Sequence, residues 1–175
     1  SAITTWGNEG YVVTAAVSNT AGYTLLGFKP FGSTTTYDTR MAQPSGSSLA
    51  STAASWASEG YVVTAMVTNT AGYTILGFRP RGDTTTYQSA MRQVSGSGIS
   101  AAISALASDG YVVTDMVTNT AGYTMLAFRP ASGSVPHAAR MTQVSGTGIR
   151  TTAASWGAEG YGLTAMTTNT AGYTM

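Results

Sequence analysis

Hydrophobic and polar positions recur along the chain with a period of 50 residues. The string Gly-Tyr-Val-Val-Thr begins at Gly10, Gly60 and Gly110, and a variant of it begins at Gly160. A second string, Asn-Thr-Ala-Gly-Tyr-Thr, begins at Asn19, Asn69, Asn119 and Asn169. Since no insertion or deletion separates the copies, residues 1–175 are predicted to form one repeat domain with units 1–50, 51–100 and 101–150 and a partial unit 151–175.

The pattern inside one unit predicts four extended segments. In the second unit these segments cover residues 52–56, 61–68, 73–79 and 85–93, and Gly, Pro, Asn or Ser residues separate them. Each segment has the length of a strand and is rich in β-branched and aromatic residues. We therefore expect each unit to be a four-stranded antiparallel meander in an all-β protein.

Side-chain alternation along residues 61–68 extends this expectation. One face carries Tyr61, Val63 and other apolar residues, and the opposite face is also free of charge, which is typical of a strand covered on both sides. Repeated four-stranded sheets packed face to face predict a β-propeller or a fragment of one. A β-trefoil is the alternative, but a trefoil closes after three units and this chain has a fourth, partial unit. A β-solenoid fits less well, because its repeat is normally shorter than 50 residues.

The partial fourth unit leaves two routes to a closed ring. Either an N-terminal strand at residues 2–6 completes the fourth blade, or two chains of three and a half units combine. Because unpaired strand edges invite association, we expect a homo-oligomer.

The motifs of the second unit resemble uncharacterised repeats that follow the kinase domain in some plant casein-kinase-like proteins. The matching residues are Trp56, Glu59-Gly60-Tyr61, Val63-Thr64, residues 75–79 and Tyr87-Gln88. The resemblance extends over all the units. It implies a propeller-like fold and no particular activity, so it assigns no functional residue.

Composition narrows the possible partners. Only 9% of the residues are charged and the net charge is +1, so the clustered positive charge that binds nucleic acid or anionic lipid is not expected. No apolar run reaches the roughly 20 residues that span a bilayer, and no membrane insertion is expected. The single lysine and the surface rich in Thr, Gly and Ala favour an extracellular, secreted protein.

Catalytic chemistry has few candidates in this sequence. There is one histidine, His137, and no cysteine, so neither a metal centre, a cofactor site nor a catalytic triad is predicted. His137 is interpreted as a loop residue. The tripeptide Arg81-Gly82-Asp83 matches an integrin-recognition string, but it occurs in one unit only. We expect a protein that is not an enzyme.

Three residue columns are candidates for a binding site. They are the turn acids Glu9, Glu59, Asp109 and Glu159, the tryptophans Trp6, Trp56 and Trp156, and the cations Lys29, Arg79 and Arg129. Aromatic faces beside carboxylates suit sugars, so one hypothesis is a lectin-like protein that binds carbohydrate at several equivalent sites. In the structural interpretation, the acids accept backbone N–H bonds in a turn before a glycine with positive φ, and the tryptophans fill the space between blades. The cations pair with the acids or end the strand in solvent.

A second hypothesis assigns the protein a different class of function. Low charge and open strand ends favour a structural, self-assembling protein of a fibre, coat or surface layer, in which the repeats pack against other copies.

Overall fold

A computed structural model of the chain describes residues 1–70, 72–169 and 172–175. The fold is mostly β-sheet, with 41% of residues in strands and 23% in helices, arranged as several small antiparallel sheets, none of them closed. The helices are α1 Ala2–Asn8, α2 Leu49–Ser58, α3 Ile99–Ser108 and α4 Ile149–Ala158. The strands are β1 Val12–Asn19, β2 Gly22–Phe28, β3 Tyr37–Ala42, β4 Val62–Asn69, β5 Gly72–Pro80, β6 Tyr87–Val94, β7 Val112–Asn119, β8 Gly122–Pro130, β9 Gln143–Val144, β10 Thr167–Asn169 and β11 Gly172–Thr174.

The first segment of each unit is a helix, so the prediction of a four-stranded meander is wrong at this point. Residues 52–56 lie inside α2, and residues 2–6, the proposed closing strand, lie inside α1. Within α2 the buried residues Leu49, Ala53, Trp56 and Ala57 have the i, i+4, i+7, i+8 spacing of a helix face. The Ala-rich composition supports the same state, because alanine has the highest helix propensity.

Each three-stranded sheet combines two successive units. The order in the second sheet is β3-β5-β4, so the third strand of unit 1 pairs with the hairpin of unit 2. The third sheet, β6-β8-β7, repeats this arrangement one unit later. Consecutive units are therefore joined by backbone hydrogen bonds, as well as by side-chain packing.

The register of these pairs is the same at both complete junctions. Met41 lies opposite Leu76 in the first junction, and Met91 lies opposite Leu126 in the second. At the third junction β9 meets β11 in the same register at Tyr173↔Val144 and Thr174↔Gln143. Thr142 and Met175 continue this pairing with two backbone hydrogen bonds of 3.1 Å.

Hydrophobic side chains cross from each unit into the core of the preceding one. In the largest cluster, Leu126 and Phe128 of β8 pack with Leu49, Trp56 and Tyr61 of unit 2. A second cluster places Leu76 and Phe78 of β5 against Ile3 and Val13 of unit 1, in the equivalent way. Each complete core thus needs a leucine and a phenylalanine from the unit that follows. Among the described residues, no helix is both long and apolar enough to cross a membrane.

Candidate functional site

A motif of an acidic residue, glycine and tyrosine ends a helix in each unit. After α2, the Tyr61 N–H donates to the Trp56 carbonyl at 2.9 Å, and the Gly60 N–H donates to the Ala57 carbonyl at 3.0 Å. This pair of bonds is a Schellman motif, which requires a residue with positive φ. Gly60 has φ 86°, as the sequence interpretation predicted for the glycine after the turn acid. The motif therefore has a structural function in stopping the helix.

The cation column lies at the same helix ends. Lys29 Nζ donates to the Glu9 carbonyl at 2.6 Å, and Arg79 Nη1 donates to the Glu59 carbonyl at 3.0 Å. Arg129 makes the equivalent bond to the Asp109 carbonyl. Positive charge at a helix C-terminus complements the helix dipole. Of the two alternatives that the sequence left open, pairing with the turn acids or ending the strand in solvent, these cations do pair with the acids, through the backbone carbonyl and not the carboxylate.

Aromatic rings complete the cluster at each helix end. The Arg79 guanidinium carbon lies 4.8 Å from the Tyr61 ring centroid, and that of Arg40 lies 4.3 Å from the same ring. Both are within the range of cation–π attraction. Tyr61 is buried beneath the two guanidinium groups.

Two of the four turn acids form ion pairs with an arginine of the preceding unit. Glu59 pairs with Arg40, and Glu159 pairs with Arg140 at 2.7 Å. Hydrogen bonding to these guanidinium groups lowers the pKa of both carboxyl groups below its usual value. Ala90 stands at the position corresponding to Arg40 and Arg140, so the junction before Asp109 has no arginine there.

The tryptophan column packs against glycine. The Trp56 side chain is buried, and its ring lies on Gly77 of β5. Trp6 lies on Gly27 of β2 in the same way, and its side chain is partly buried. Trp156 is also partly buried. The structure thus brings the tryptophan, acid and cation columns to the same helix ends, where the described contacts join them to one another and to the backbone.

Two candidates occur in one unit only, the tripeptide Arg81-Gly82-Asp83 and His137. Arg81 donates to Asp38 at 3.1 Å and to the Asn8 side chain at 2.8 Å, while Asp83 accepts hydrogen bonds from Thr85. His137 is exposed in a segment without regular secondary structure. Within the described ranges, no group of three or more His, Cys, Asp or Glu residues is placed to hold a metal ion.

Sequence reasoning missed a groove formed by the first hairpin strands of all four units. Strands β1, β4 and β7 and residues 163–168 line this opening, which has a volume of about 900 Å³. Thr14, Thr64, Thr114 and Thr164 contribute one hydroxyl per unit at equivalent positions. Only unit 3 adds a carboxylate, Asp115, where the other units have alanine.

Asp115 is held against the neighbouring unit. Its carboxylate accepts hydrogen bonds from the backbone N–H of Met66 on β4 and from that of Met116. Desolvation by burial raises the pKa of this carboxyl group to about 7, and the two backbone hydrogen bonds oppose the rise.

Unit 1 exposes two side chains, Leu26 and Phe28, whose equivalents in units 2 and 3 are buried. Leu26 is 64% exposed and Phe28 is 62% exposed, whereas Leu76 and Phe78, at equivalent positions in β5, are 4% and 3% exposed. The cause is the missing third strand, because β2 pairs with β1 alone. The repeat register itself would have revealed these two residues, because they stand 50 positions before Leu76 and Phe78.

The opposite end contains a cavity of about 280 Å³. Its wall includes Ile103, Tyr111, Met116, His137 and Trp156. The corresponding space in unit 2 is filled by Leu126 and Phe128 of the following unit. In unit 3 the space is bordered by Thr164, Ala165 and Met175 of the following unit.

Comparison with known proteins gives no indication of the family or the function of this chain. No protein-family model, curated protein or solved structure matches this chain.

Proposed function

We propose that this protein is a non-enzymatic, self-assembling structural module whose repeats pack against other copies of the chain. The single observation that carries the proposal is the exposure of Leu26 and Phe28 on a hairpin without a third strand. Burying a leucine or phenylalanine side chain contributes about 1.5–3 kcal/mol, so covering this face favours association. The open edge of β2 also offers backbone hydrogen bonds to an added strand.

The contacts of the acid, tryptophan and cation columns also favour a structural module over a binding site at these residues. A binding site needs polar groups that are available to a ligand. In the second unit, Glu59 is paired with Arg40, Arg79 is bonded to the Glu59 carbonyl and to Asp38, and Trp56 is buried. These groups already stabilise the junction between units. Ring closure as a β-propeller, within one chain or between two, is one form that such an assembly would take.

Sedimentation velocity over a wide range of protein concentration tests the proposal. We expect larger species to grow with concentration, and we expect Leu26→Asp and Phe28→Asp to suppress them without lowering the melting temperature. Phe31→Asp is the matched control, because Phe31 is fully exposed but lies outside the hairpin. A protein that remains monomeric at all concentrations would contradict the proposal.

Carbohydrate binding is the second candidate function, and the groove is the observation that favours it. Four equivalent threonine hydroxyls and one carboxylate line an open surface that also carries apolar side chains such as Met66 and Leu163. Thr64 and Thr114 donate to the Val13 and Leu126 carbonyls, so their hydroxyl oxygens are offered to a sugar as acceptors beside the apolar surface. A glycan array with the unmodified protein and with Thr64→Val and Thr114→Val tests this candidate. Binding that is equal in all three proteins would exclude the groove as the site.

A further inference from the structure

We propose that the groove binds an amino sugar, with the Asp115 carboxylate as the partner of the protonated amine. This inference rests on carbohydrate binding, the second candidate function, and names the class of sugar that the groove selects. It does not depend on self-assembly. Asp115 lies at the junction of β7 with β4, in the middle of the groove, and β1 and β10 contact these two strands on their other sides.

Asp115 is a groove carboxylate without a cationic partner. In the part of the chain that the structure describes, the groove lining contains no lysine, arginine or histidine, and no ion pair includes Asp115. Removing an unpaired charge from water is costly, and this cost is the cause of the raised pKa of the Asp115 carboxyl group. A cation that binds from solvent supplies the missing opposite charge.

The Asp115 carboxylate keeps capacity for a ligand. One of its oxygens accepts from the Met66 N–H, and the other accepts from the Met116 N–H. A carboxylate has about four lone-pair positions, so about two of them remain open. The side chain is only partly buried and lines the groove, so a ligand in the groove can reach it. Because the two N–H groups already fix its orientation, little side-chain entropy is lost on binding.

Hydroxyl groups of the neighbouring residues act as acceptors. Thr64 of β4 donates its hydrogen to the Val13 carbonyl. Thr118 of β7 donates to the Thr168 carbonyl at 3.0 Å. Since these hydrogens are committed, both hydroxyl oxygens can only accept from a ligand. A sugar hydroxyl brings one donor, whereas a protonated amine brings three donors and no acceptor. The acceptors around Asp115 therefore suit an ammonium group better than another hydroxyl.

Apolar side chains provide a surface for the sugar ring. Leu163 is 47% exposed and Met166 is 44% exposed, and both line the groove. The groove volume of about 900 Å³ lies within the range of small-molecule sites. A ring that carries hydroxyl groups and an amine uses the apolar surface, the hydroxyl acceptors and the carboxylate together. An amine without a ring uses only the carboxylate.

Isothermal titration calorimetry with two sugar trimers tests the proposal. The trimers of glucosamine and of N-acetylglucosamine have the same ring skeleton, and acetylation removes the positive charge. We expect the glucosamine trimer to bind at least about tenfold more tightly, because hydrogen bonds between charged groups are stronger than neutral ones. Lysine amide is the probe for an amine without a sugar ring, and it should bind at least about tenfold more weakly than the glucosamine trimer.

Two variants assign the preference to the carboxylate. Asp115→Ala introduces the residue found at positions 15, 65 and 165, and Asp115→Asn removes the charge at nearly constant size. Both should bind the two trimers with similar affinity. Asp83→Ala is the matched control, because Asp83 is an exposed aspartate outside the groove, and it should keep the full preference.

Each contrary result has a separate meaning. Equal affinity of the unmodified protein for the two trimers would overturn the amino-sugar assignment and leave carbohydrate binding standing. A preference that persists in both Asp115 variants would overturn the role of Asp115. Lysine amide that binds as tightly as the glucosamine trimer would overturn recognition of the sugar ring. A protein that binds neither trimer and no glycan on the array would overturn this inference and the candidate function together.

Discussion

The Trp56 ring lies directly on the α-carbon of Gly77. A β-carbon added at Gly77 would be 2.7 Å from Cε3 of Trp56, which is too close for any ordinary contact. In unit 3 both residues differ, since Leu106 replaces the tryptophan and Ala127 replaces the glycine, and both of these side chains are buried. The same contact is therefore made by two different residue pairs, tryptophan with glycine in unit 2 and leucine with alanine in unit 3.

Gly77→Ala should therefore destabilise the protein by about 1–3 kcal/mol, because the added methyl group overpacks the Trp56 contact. Trp56→Leu combined with Gly77→Ala reproduces the pair found in unit 3. We expect this double variant to recover much of the loss. Chemical denaturation of the two single variants and the double variant measures the coupling, and purely additive effects would contradict the packing explanation.

The buried hydroxyl contact between Tyr73 and Thr124 predicts a second effect. Thr124→Val removes a hydroxyl that contacts the Tyr73 hydroxyl at 2.9 Å and accepts from Asn119 at 3.1 Å. We expect a loss of about 1–3 kcal/mol in the free energy of unfolding, since buried polar partners are left behind. Thr24→Val, on the open N-terminal hairpin where Thr24 is exposed, is the matched control and should change little. Equal losses in the two variants would contradict a role for the junction.

The partly buried Asp115 carboxyl group predicts a dependence of stability on pH. Its pKa in the folded protein is about 7, above the value of 3.8 for a free aspartate, because burial disfavours the charged form. Between these two values the folded state binds more protons than the unfolded state, so the free energy of unfolding should fall as the pH rises from about 4 to 7. We expect a fall on the order of 2 kcal/mol, because solvent still reaches part of the side chain.

Asp115→Ala introduces the residue found at positions 15, 65 and 165 and should abolish this fall. Denaturant titrations at several pH values between 4 and 8 measure the effect in both proteins. A parallel decline in the variant would assign the pH dependence to other groups.

Much of the local structure follows from the sequence. The exact 50-residue register predicted the units, and the Asn-Thr-Ala-Gly string coincides with the tight turn of each hairpin that the structure describes in full, such as β1–β2. The glycine after each turn acid was predicted to have positive φ, and Gly10, Gly60, Gly110 and Gly160 all have it. The helices were missed because residues 52–56 are short and contain a β-branched threonine. Extending the window to Leu49 and Ala57 would have revealed the helical spacing.

The amino-acid sequence by itself determined the repeat, the hairpins and the identity of the residues at each equivalent position, because these depend on local backbone preference and on spacing along the chain. Only the tertiary structure decided that the third strand of one unit completes the sheet of the next, since strand pairing joins residues distant in sequence. That exchange buries Leu76 and Phe78, leaves Leu26 and Phe28 exposed, and opens a cavity in unit 3. Similar local sequences thus acquire different surroundings, because β2 pairs with β1 alone whereas β5 and β8 each pair with two strands.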